Sequence, residues 1–266
     1  MRFDILTLFP QMFDAYLNES ILGRAQKNGQ IQVNTHQLRD WSMDEKHHRV
    51  DDTPYGGGAG MVLQVEPIFR AVEEIRNPTP PQSSPQLMGG GDAAGLSSPL
   101  SLDKERVGVR LSGGSRVILF SAKGKRFTQD DARRLTEYDQ LILICGRYEG
   151  VDERVAEHIA DEELSIGDFV LTGGELPAMI VVDAVARLLP EVLGNAESAL
   201  TESHSEAGVL EYPQYTKPEE FNGWRVPEIL LTGHHENVAR WRRQNSNTTS
   251  PQPSPQPRRG GDATLL

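Results

Sequence analysis

Two glycine-rich stretches in the middle of the chain carry residues that suit ligand binding. The first is G-R-Y-E-G at Gly146–Gly150, and the second is T-G-G-E at Thr172–Glu175, about 27 residues further on. Each follows a run of residues that favours a β-strand, and each has a carboxylate, Glu149 or Glu175, beside a glycine. Where a strand of an open α/β sheet ends at a glycine-rich bend, backbone N–H groups are free to donate, and ligands bind there. The pair of stretches therefore predicts one ligand site.

The elements that must position these stretches alternate between strand and helix. Leu141–Cys145 and Ile166–Leu171 are short runs rich in branched apolar residues, which are typical of buried strands. Val117–Ser121 predicts another strand, and Leu176–Leu189 predicts a helix that ends at Pro190. This alternation predicts an α/β fold with a parallel sheet.

The rest of the chain predicts a few further elements. Arg2–Phe9 and Ile31–Leu38 favour strands, and Val65–Arg76 has the apolar spacing of a helix. Asp51–Met61 is a loop with four glycines, which suits support of a nucleic acid or of a subunit interface. His234–Arg243 predicts a short helix that mixes basic and aromatic residues.

Composition limits the class of protein. The chain has 266 residues, 37% of them hydrophobic and 24% charged, with a net charge of −11. These values are typical of a soluble globular protein and argue against one coated in nucleic acid, although a local basic patch remains possible. We expect no transmembrane helix and no secretory signal, because neither a long apolar run nor a basic leader is present. The single cysteine, Cys145, excludes internal disulfides and fits the cytoplasm.

Two segments of biased composition resemble each other. Asn77 to about Ser101 is rich in Pro, Gln, Ser and Gly, and we expect it to be a disordered insert. Its first part, Asn77–Leu96, aligns without gaps to Asn247–Leu266, with 12 of 20 positions identical. We interpret the two copies as translated repeat DNA that carries no function.

Long ordered motifs resemble those of one family, the bacterial tRNA (guanine-N1)-methyltransferases known as TrmD, which belong to the SPOUT class. The resemblance covers most of residues 1–246. It rests on motifs at Phe3–Pro10, Asp51–Met61, Gly146–Arg154, Ser165–Met179, Val192–Asn195 and Tyr212–Pro218.

The resemblance implies a particular fold and assembly. It implies a mostly parallel α/β sheet with helices on both faces and a deep C-terminal trefoil knot, in a homodimer whose active sites are shared between chains. The implied domains are a methyltransferase domain at 1–194, a flexible linker at 195–208, a helical tRNA-binding domain at 209–246 that is apparently truncated, and a low-complexity tail at 247–266. tRNA would contact the basic and aromatic residues Arg225, Arg240, Trp241, Arg242 and Arg243.

The resemblance also implies S-adenosylmethionine as methyl donor, held bent in the loops of the knot. Glycines there let the backbone approach the donor, and Glu149 places a carboxylate near its cationic group. The donor residues carried over by motif are Leu119, Phe120, Ser121, Gly146, Tyr148, Glu149, Gly150, Ser165, Ile166, Gly167, Phe169, Leu171, Gly173, Gly174 and Pro177.

The implied reaction methylates N1 of the guanine just 3′ of the anticodon, position 37 of the tRNA. N1 carries a proton that a base must remove, and charge then develops on O6. The family pattern assigns the O6 role to Arg187 and the base to Glu202, with Glu206 and His204 as alternatives. Mg²⁺ is expected from the resemblance, but its ligands are unassigned. The alternative function is a catalytically weak or inactive remnant that binds donor or RNA.

Overall fold

The computed structural model describes residues 1–77, 114–194, 202–205 and 209–246. The chain divides into two units, Met1–Leu193 and Gly194–Leu266. The predicted insert beyond Asn77, most of the predicted linker and the predicted tail lie outside the described residues. No helix in the described ranges is both long and apolar enough to cross a membrane.

The first unit is built on a five-stranded sheet, counted over the described residues, with the order β2-β1-β6-β5-β7. Neighbouring strands pair in parallel, which confirms the prediction of a parallel α/β fold. The strands are β1 (Arg2–Thr7), β2 (Gln32–Gln37), β5 (Ser115–Arg126), β6 (Gln140–Cys145) and β7 (Glu162–Ser165), while β3 (Asp51–Asp52) and β4 (Val62–Leu63) form a small antiparallel pair.

Helices cover both faces of the sheet, as the resemblance implied. One face carries Phe3, Ile5, Leu141 and Leu143 into a core shared with α6. The other face carries Ile142 and Ile144 into a core shared with α3. The helices of this unit are α1 (Asp14–Leu17), α2 (Ser20–Lys27), α3 (Val65–Arg76), α4 (Gln129–Leu135), α5 (Glu153–His158) and α6 (Glu175–Ala186).

A buried carboxylate stabilises the amino-terminal ends of neighbouring strands, at the end of the sheet opposite the glycine-rich stretches. Asp4 in β1 is fully buried and accepts hydrogen bonds from Arg2 Nε, Asn34 Nδ2 (2.9 Å) and Gln140 Nε2 (2.8 Å), and it pairs with His36 Nε2 (2.8 Å). Burial by itself raises the pKa of this carboxyl, but the four polar partners together lower the pKa to about 2.

The predicted strand at Ile166–Leu171 is wrong. The strand lies just before it, at Glu162–Ser165, where it pairs with β5. Within the described ranges the 166–171 segment has no ladder partner, and Phe169 (55% exposed) and Val170 (85% exposed) point outward. Its β-branched and aromatic residues line a surface of the molecule, and a pattern of side chains alone does not distinguish this from a buried strand.

Two other element boundaries differ from prediction. The helix predicted at Leu176–Leu189 runs from Glu175 to Ala186 and continues as turns, and the strand predicted at Val117–Ser121 extends to Arg126. The extension follows a shift of register between Phe120 and Lys125, which lets the strand pair with β7 a second time.

The second unit contains a hairpin and a helix. Strands β8 (Glu220–Phe221) and β9 (Trp224–Arg225) are joined by Asn222-Gly223, both with positive φ, as a tight hairpin turn requires. Helix α7 spans His235–Asn245, which confirms the predicted short basic and aromatic helix.

Candidate active site

A cleft of about 450 Å³ opens beside the irregular part of β5 and the ends of β6 and β7. It is lined by Leu119, Phe120, Ser121, Gly146, Tyr148, Glu149, Gly150, Ser165, Ile166, Phe169, Leu171, Gly173, Gly174 and Pro177, all of which the sequence assigned to the donor. The remaining predicted donor residue, Gly167, is not among the described residues that line the cleft; its N–H donates to Ser165 Oγ (3.3 Å). The structure thus gathers the predicted residues at one place, and their role in donor binding stays a prediction.

Close approach of two loops gives the cleft its shape. Gly174 N–H donates to the carbonyl of Gly146 (2.9 Å), and Arg147 forms an antiparallel bridge with Gly173. A Cβ on Gly174 would lie 2.7 Å from Cys145 Cα, so only glycine fits between α6 and the end of β6. The missing side chain of Gly174 thus lets two backbone segments approach each other, while the predicted approach of the glycine backbone to the donor stays a prediction.

The two carboxylates that the sequence treated alike have different environments. Glu149 is exposed on the cleft lining. Glu175 is 1% exposed and forms an ion pair with Arg147. Of these two carboxylates, Glu149 is the one exposed on the described lining of the cleft.

The glycine-rich loop at Asp51–Met61 ends against the same cleft, a position that sequence analysis missed. Glu149 N–H donates to the carbonyl of Met61 (3.1 Å), and Leu63 N–H donates to the carbonyl of Gly150 (3.0 Å). Gly60 has φ of +80° and packs directly on the Glu149 side chain. The motif was visible in the sequence, but nothing local indicates which distant segment it contacts.

Sequence analysis also missed an ion pair on the cleft lining. Lys123 lies in the irregular part of β5, and its Nζ binds the carboxylate of Glu153 in the first turn of α5. This hydrogen bond raises the pKa of Lys123, so the amine is charged at neutral pH. Both side chains are more than half exposed, and solvent weakens the pair.

The residues predicted for catalysis lie in different units. Arg187 is the C-cap residue of α6, where a cation is favoured by the helix dipole. Glu202 and His204 lie in a turn of the second unit, in which Ser205 N–H donates to the carbonyl of Glu202 (3.0 Å) and His204 has φ of +66°. Glu206 lies outside the described residues.

Neither a reactive thiol nor a protein metal cage is found in the described ranges. Cys145 is buried at the end of β6, and burial raises the pKa of its thiol well above the usual value, so the thiol stays neutral. No group of three or more His, Cys, Asp or Glu side chains there could hold a metal ion. The ligands of the expected Mg²⁺ therefore stay unassigned, and no proposed catalytic step depends on the ion.

The predicted tRNA-contacting residues lie on the hairpin and on α7. Arg242 stacks on Tyr212 (4.8 Å to the ring centroid), and Trp241 packs against Tyr215. Arg225 Nε binds Glu220 (2.7 Å). The remaining two, Arg240 and Arg243, are exposed.

Comparisons with a family model and with known proteins point to the same family. A family model described as tRNA (Guanine-1)-methyltransferase TrmD matches residues 1–255. A protein of Dehalococcoides mccartyi named tRNA (guanine-N(1)-)-methyltransferase is 47% identical over 248 residues, which is 92% of this chain and 86% of that protein. Proteins of the same name from Desulforamulus reducens (48% identical, 92% of this chain, 84% of that protein) and Ruminiclostridium cellulolyticum (46%, 92% and 91%) are also similar.

Proposed function

This chain belongs to the TrmD family of tRNA (guanine-1)-methyltransferases, and we propose that it transfers a methyl group from S-adenosylmethionine to N1 of the guanine just 3′ of the anticodon. A tRNA substrate supports a cytoplasmic location for this activity.

One observation carries the proposal. All but one of the residues assigned to the donor from sequence motifs line a single cleft beside the irregular part of β5 and the carboxyl ends of β6 and β7. Strand ends in α/β sheets are where nucleotide-like ligands bind. Backbone groups of the glycine loops suit an adenine, and the exposed carboxylate of Glu149 suits the cationic half of the donor.

The chain must supply a base and a cation for the reaction. The donor supplies an electrophilic methyl group. Glu202 removes the N1 proton in this proposal, with His204 and Glu206 as the alternatives, and Arg187 stabilises the charge that develops on O6. The position of Arg187 at the C-terminus of α6, partly buried, supports an ordered rather than a freely mobile guanidinium.

A homodimer is supported by apolar residues on the outside of the first unit. Leu176 (52% exposed) and Ile180 (44% exposed) share one face of α6, one helical turn apart. Phe9, Met12 and Tyr16 are also more than two-fifths exposed. Side chains of this size at the surface are typical of subunit contacts. We expect Ile180→Glu to convert a dimer to a monomer in size-exclusion chromatography with light scattering.

The trefoil knot is also part of the proposal. The chain leaves β7 at one edge of the sheet, crosses the end of β6 at Gly146 and Gly174, and then packs α6 on the β1 and β6 face. This path supports threading of the chain through the loop that follows β5.

The second unit supports an RNA-binding role. In this proposal residues 195–208 link the units and residues 209–246 form a tRNA-binding domain. Exposed cations beside aromatic side chains, as at Arg242 and Tyr212, suit a phosphate backbone with unstacked bases. The alternative of an inactive remnant is not favoured, because relatives with the methyltransferase name match 92% of the chain.

Labelled methyl transfer to two tRNA transcripts tests the function. The transcripts differ only in having guanine or adenine just after the anticodon. We expect transfer to the guanine transcript alone. Equal labelling of both transcripts, or of neither while the protein is folded and a known enzyme of the family is active, would contradict the proposal.

A further inference from the structure

Glu175 and Arg147 form a buried ion pair behind the donor cleft. Arg147 Nε donates to Glu175 Oε1 (3.1 Å), and Arg147 Nη2 lies 3.0 Å from Glu175 Oε2 without the alignment of a hydrogen bond. The side chains are 17% and 1% exposed. Arg147 belongs to the cleft lining, whereas Glu175 is not one of the described lining residues.

The pair connects three segments that are distant in sequence. Thr7, at the end of β1, donates from Oγ1 to Glu175 Oε1 (2.8 Å). Arg147, just after β6, donates from Nη1 to the carbonyl of Thr172 (3.3 Å), in the loop that precedes α6. Glu175 itself is the first residue of α6, where the helix dipole favours a carboxylate. The Glu175–Arg147 pair therefore connects the ends of β1 and β6 with the start of α6.

The far side of the guanidinium is also enclosed. The Phe9 ring centroid lies 4.6 Å from Arg147 Cζ, and Met12 Sδ lies 3.4 Å from Nη2. A planar guanidinium can stack on the ring and donate in several directions at once, whereas a lysine ammonium is a point charge that cannot do both. The environment is thus specific for arginine.

Both loops of the cleft depend on this pair. Gly173 packs so closely on it that a Cβ there would lie 2.4 Å from Arg147 Nε and 2.5 Å from Glu175 Oε2. Gly173, Gly174 and Thr172 line the cleft together with Arg147. Movement of the pair would therefore move the backbone that contacts the ligand.

We propose that Glu175 and Arg147 are positioning residues: their pairing, completed by Thr7, holds the Gly146–Gly150 and Thr172–Gly174 loops in the arrangement that binds the methyl donor. This rests on the proposed function, because the donor is the ligand of that function. Glu175 acts through Arg147 and has no contact with reacting atoms. The pair accordingly affects donor affinity rather than the chemical step.

The test compares donor binding and turnover in full-length variants. Arg147→Lys keeps the charge but not the fork, and Glu175→Gln keeps the size and an acceptor for Thr7 but not the charge. Arg70→Met removes an exposed arginine that pairs with Glu66 on α3, outside the cleft lining, and is the control. Calorimetry with S-adenosylmethionine gives Kd, and methyl transfer at saturating donor gives kcat.

We expect each single substitution at the pair to raise Kd for S-adenosylmethionine by about tenfold or more, because small misplacement of binding groups is costly. We expect kcat to stay within about threefold of wild type and Arg70→Met to match wild type. The Kd of the double variant for S-adenosylmethionine should not exceed the larger Kd of the two single variants. The effects of residues that act as one unit are not additive.

Several outcomes would overturn the proposal. They are wild-type Kd in the folded single variants, additive losses in the double variant, or a fall in kcat at unchanged Kd. Thr7→Val leaves both charges in place and serves if a charge variant does not fold; we expect it to raise Kd about threefold, and an unchanged Kd would contradict the proposal. A wild-type protein that binds no S-adenosylmethionine would instead refute the proposed function itself.

Discussion

Gly174→Ala tests how closely the two donor loops must approach. A Cβ at Gly174 lies 2.7 Å from Cys145 Cα, 2.9 Å from Gly146 N and 3.1 Å from Cys145 C, whereas ordinary contacts of a Cβ begin at 3.4 Å. The loop must therefore retreat by about 0.7 Å, because Cys145 ends β6 between two other strands and is held in the sheet.

The cost can be worked from these contacts. Overpacking of this kind costs about 1–3 kcal/mol. Retreat also weakens the hydrogen bond from Gly174 N–H to the Gly146 carbonyl, which adds about 1 kcal/mol. If the donor must restore the loop in order to bind, a total of about 2–4 kcal/mol corresponds to a loss of affinity of roughly 30- to 700-fold.

Calorimetry with S-adenosylmethionine measures this loss directly. Gly146→Ala is a graded comparison, because its Cβ would lie 3.2 Å from the Val151 side chain and 3.4 Å from the Phe120 carbonyl oxygen, and we expect a smaller loss. Gly194→Ala, whose Cβ meets no described atom within 4 Å, should bind as wild type does. Wild-type affinity in a folded Gly174→Ala variant would refute the inference that this loop contact shapes the donor site.

Three further predictions concern the proposed catalytic residues and the fold. Arg187→Ala should abolish methyl transfer in kinetic assays while calorimetry still detects the donor, because its assigned charge appears only in the transition state; loss of donor binding in an intact dimer would contradict the role. Glu202→Gln should lower turnover by more than about tenfold while Glu202→Asp stays active; if Glu206→Gln fails instead, Glu206 is the base. Asp4→Asn should lower the free energy of unfolding by about 2 kcal/mol at neutral pH, as measured by denaturant titration. Because the folded pKa of Asp4, about 2, is below its usual 3.8, wild type should lose this stability as pH falls from about 4 through 2, and the variant should not; equal loss in both would exclude Asp4 as the cause.

Local sequence signals predicted the sheet well. Leu141–Cys145 is a fully apolar run, and it forms the central strand β6 with one residue added. Val65–Arg76 has apolar residues at helical spacing, and those residues face the core. The local sequence suffices in such cases because the spacing of the apolar residues matches the pattern of buried positions in the element.

Signals that depend on distant contacts were not predictable. Ile166–Leu171 has the composition of a strand, but Glu162–Ser165 takes the place beside β5, and the sequence does not encode which segment wins that competition. Glu149 and Glu175 look equivalent beside their glycines, yet burial against Arg147 separates their roles. The contact of Gly60 with Glu149 joins segments almost ninety residues apart, which no local pattern reveals.

The most direct test of the central claim is the chemical identity of the product. tRNA treated with the full-length protein and S-adenosylmethionine is digested to nucleosides and fragments, and mass spectrometry locates the new methyl group. We predict N1-methylguanosine in the fragment that contains the residue just 3′ of the anticodon, and no other new modification. A methyl group on a ribose, on another base or at another position would contradict the account, as would unmodified tRNA from protein that binds the donor.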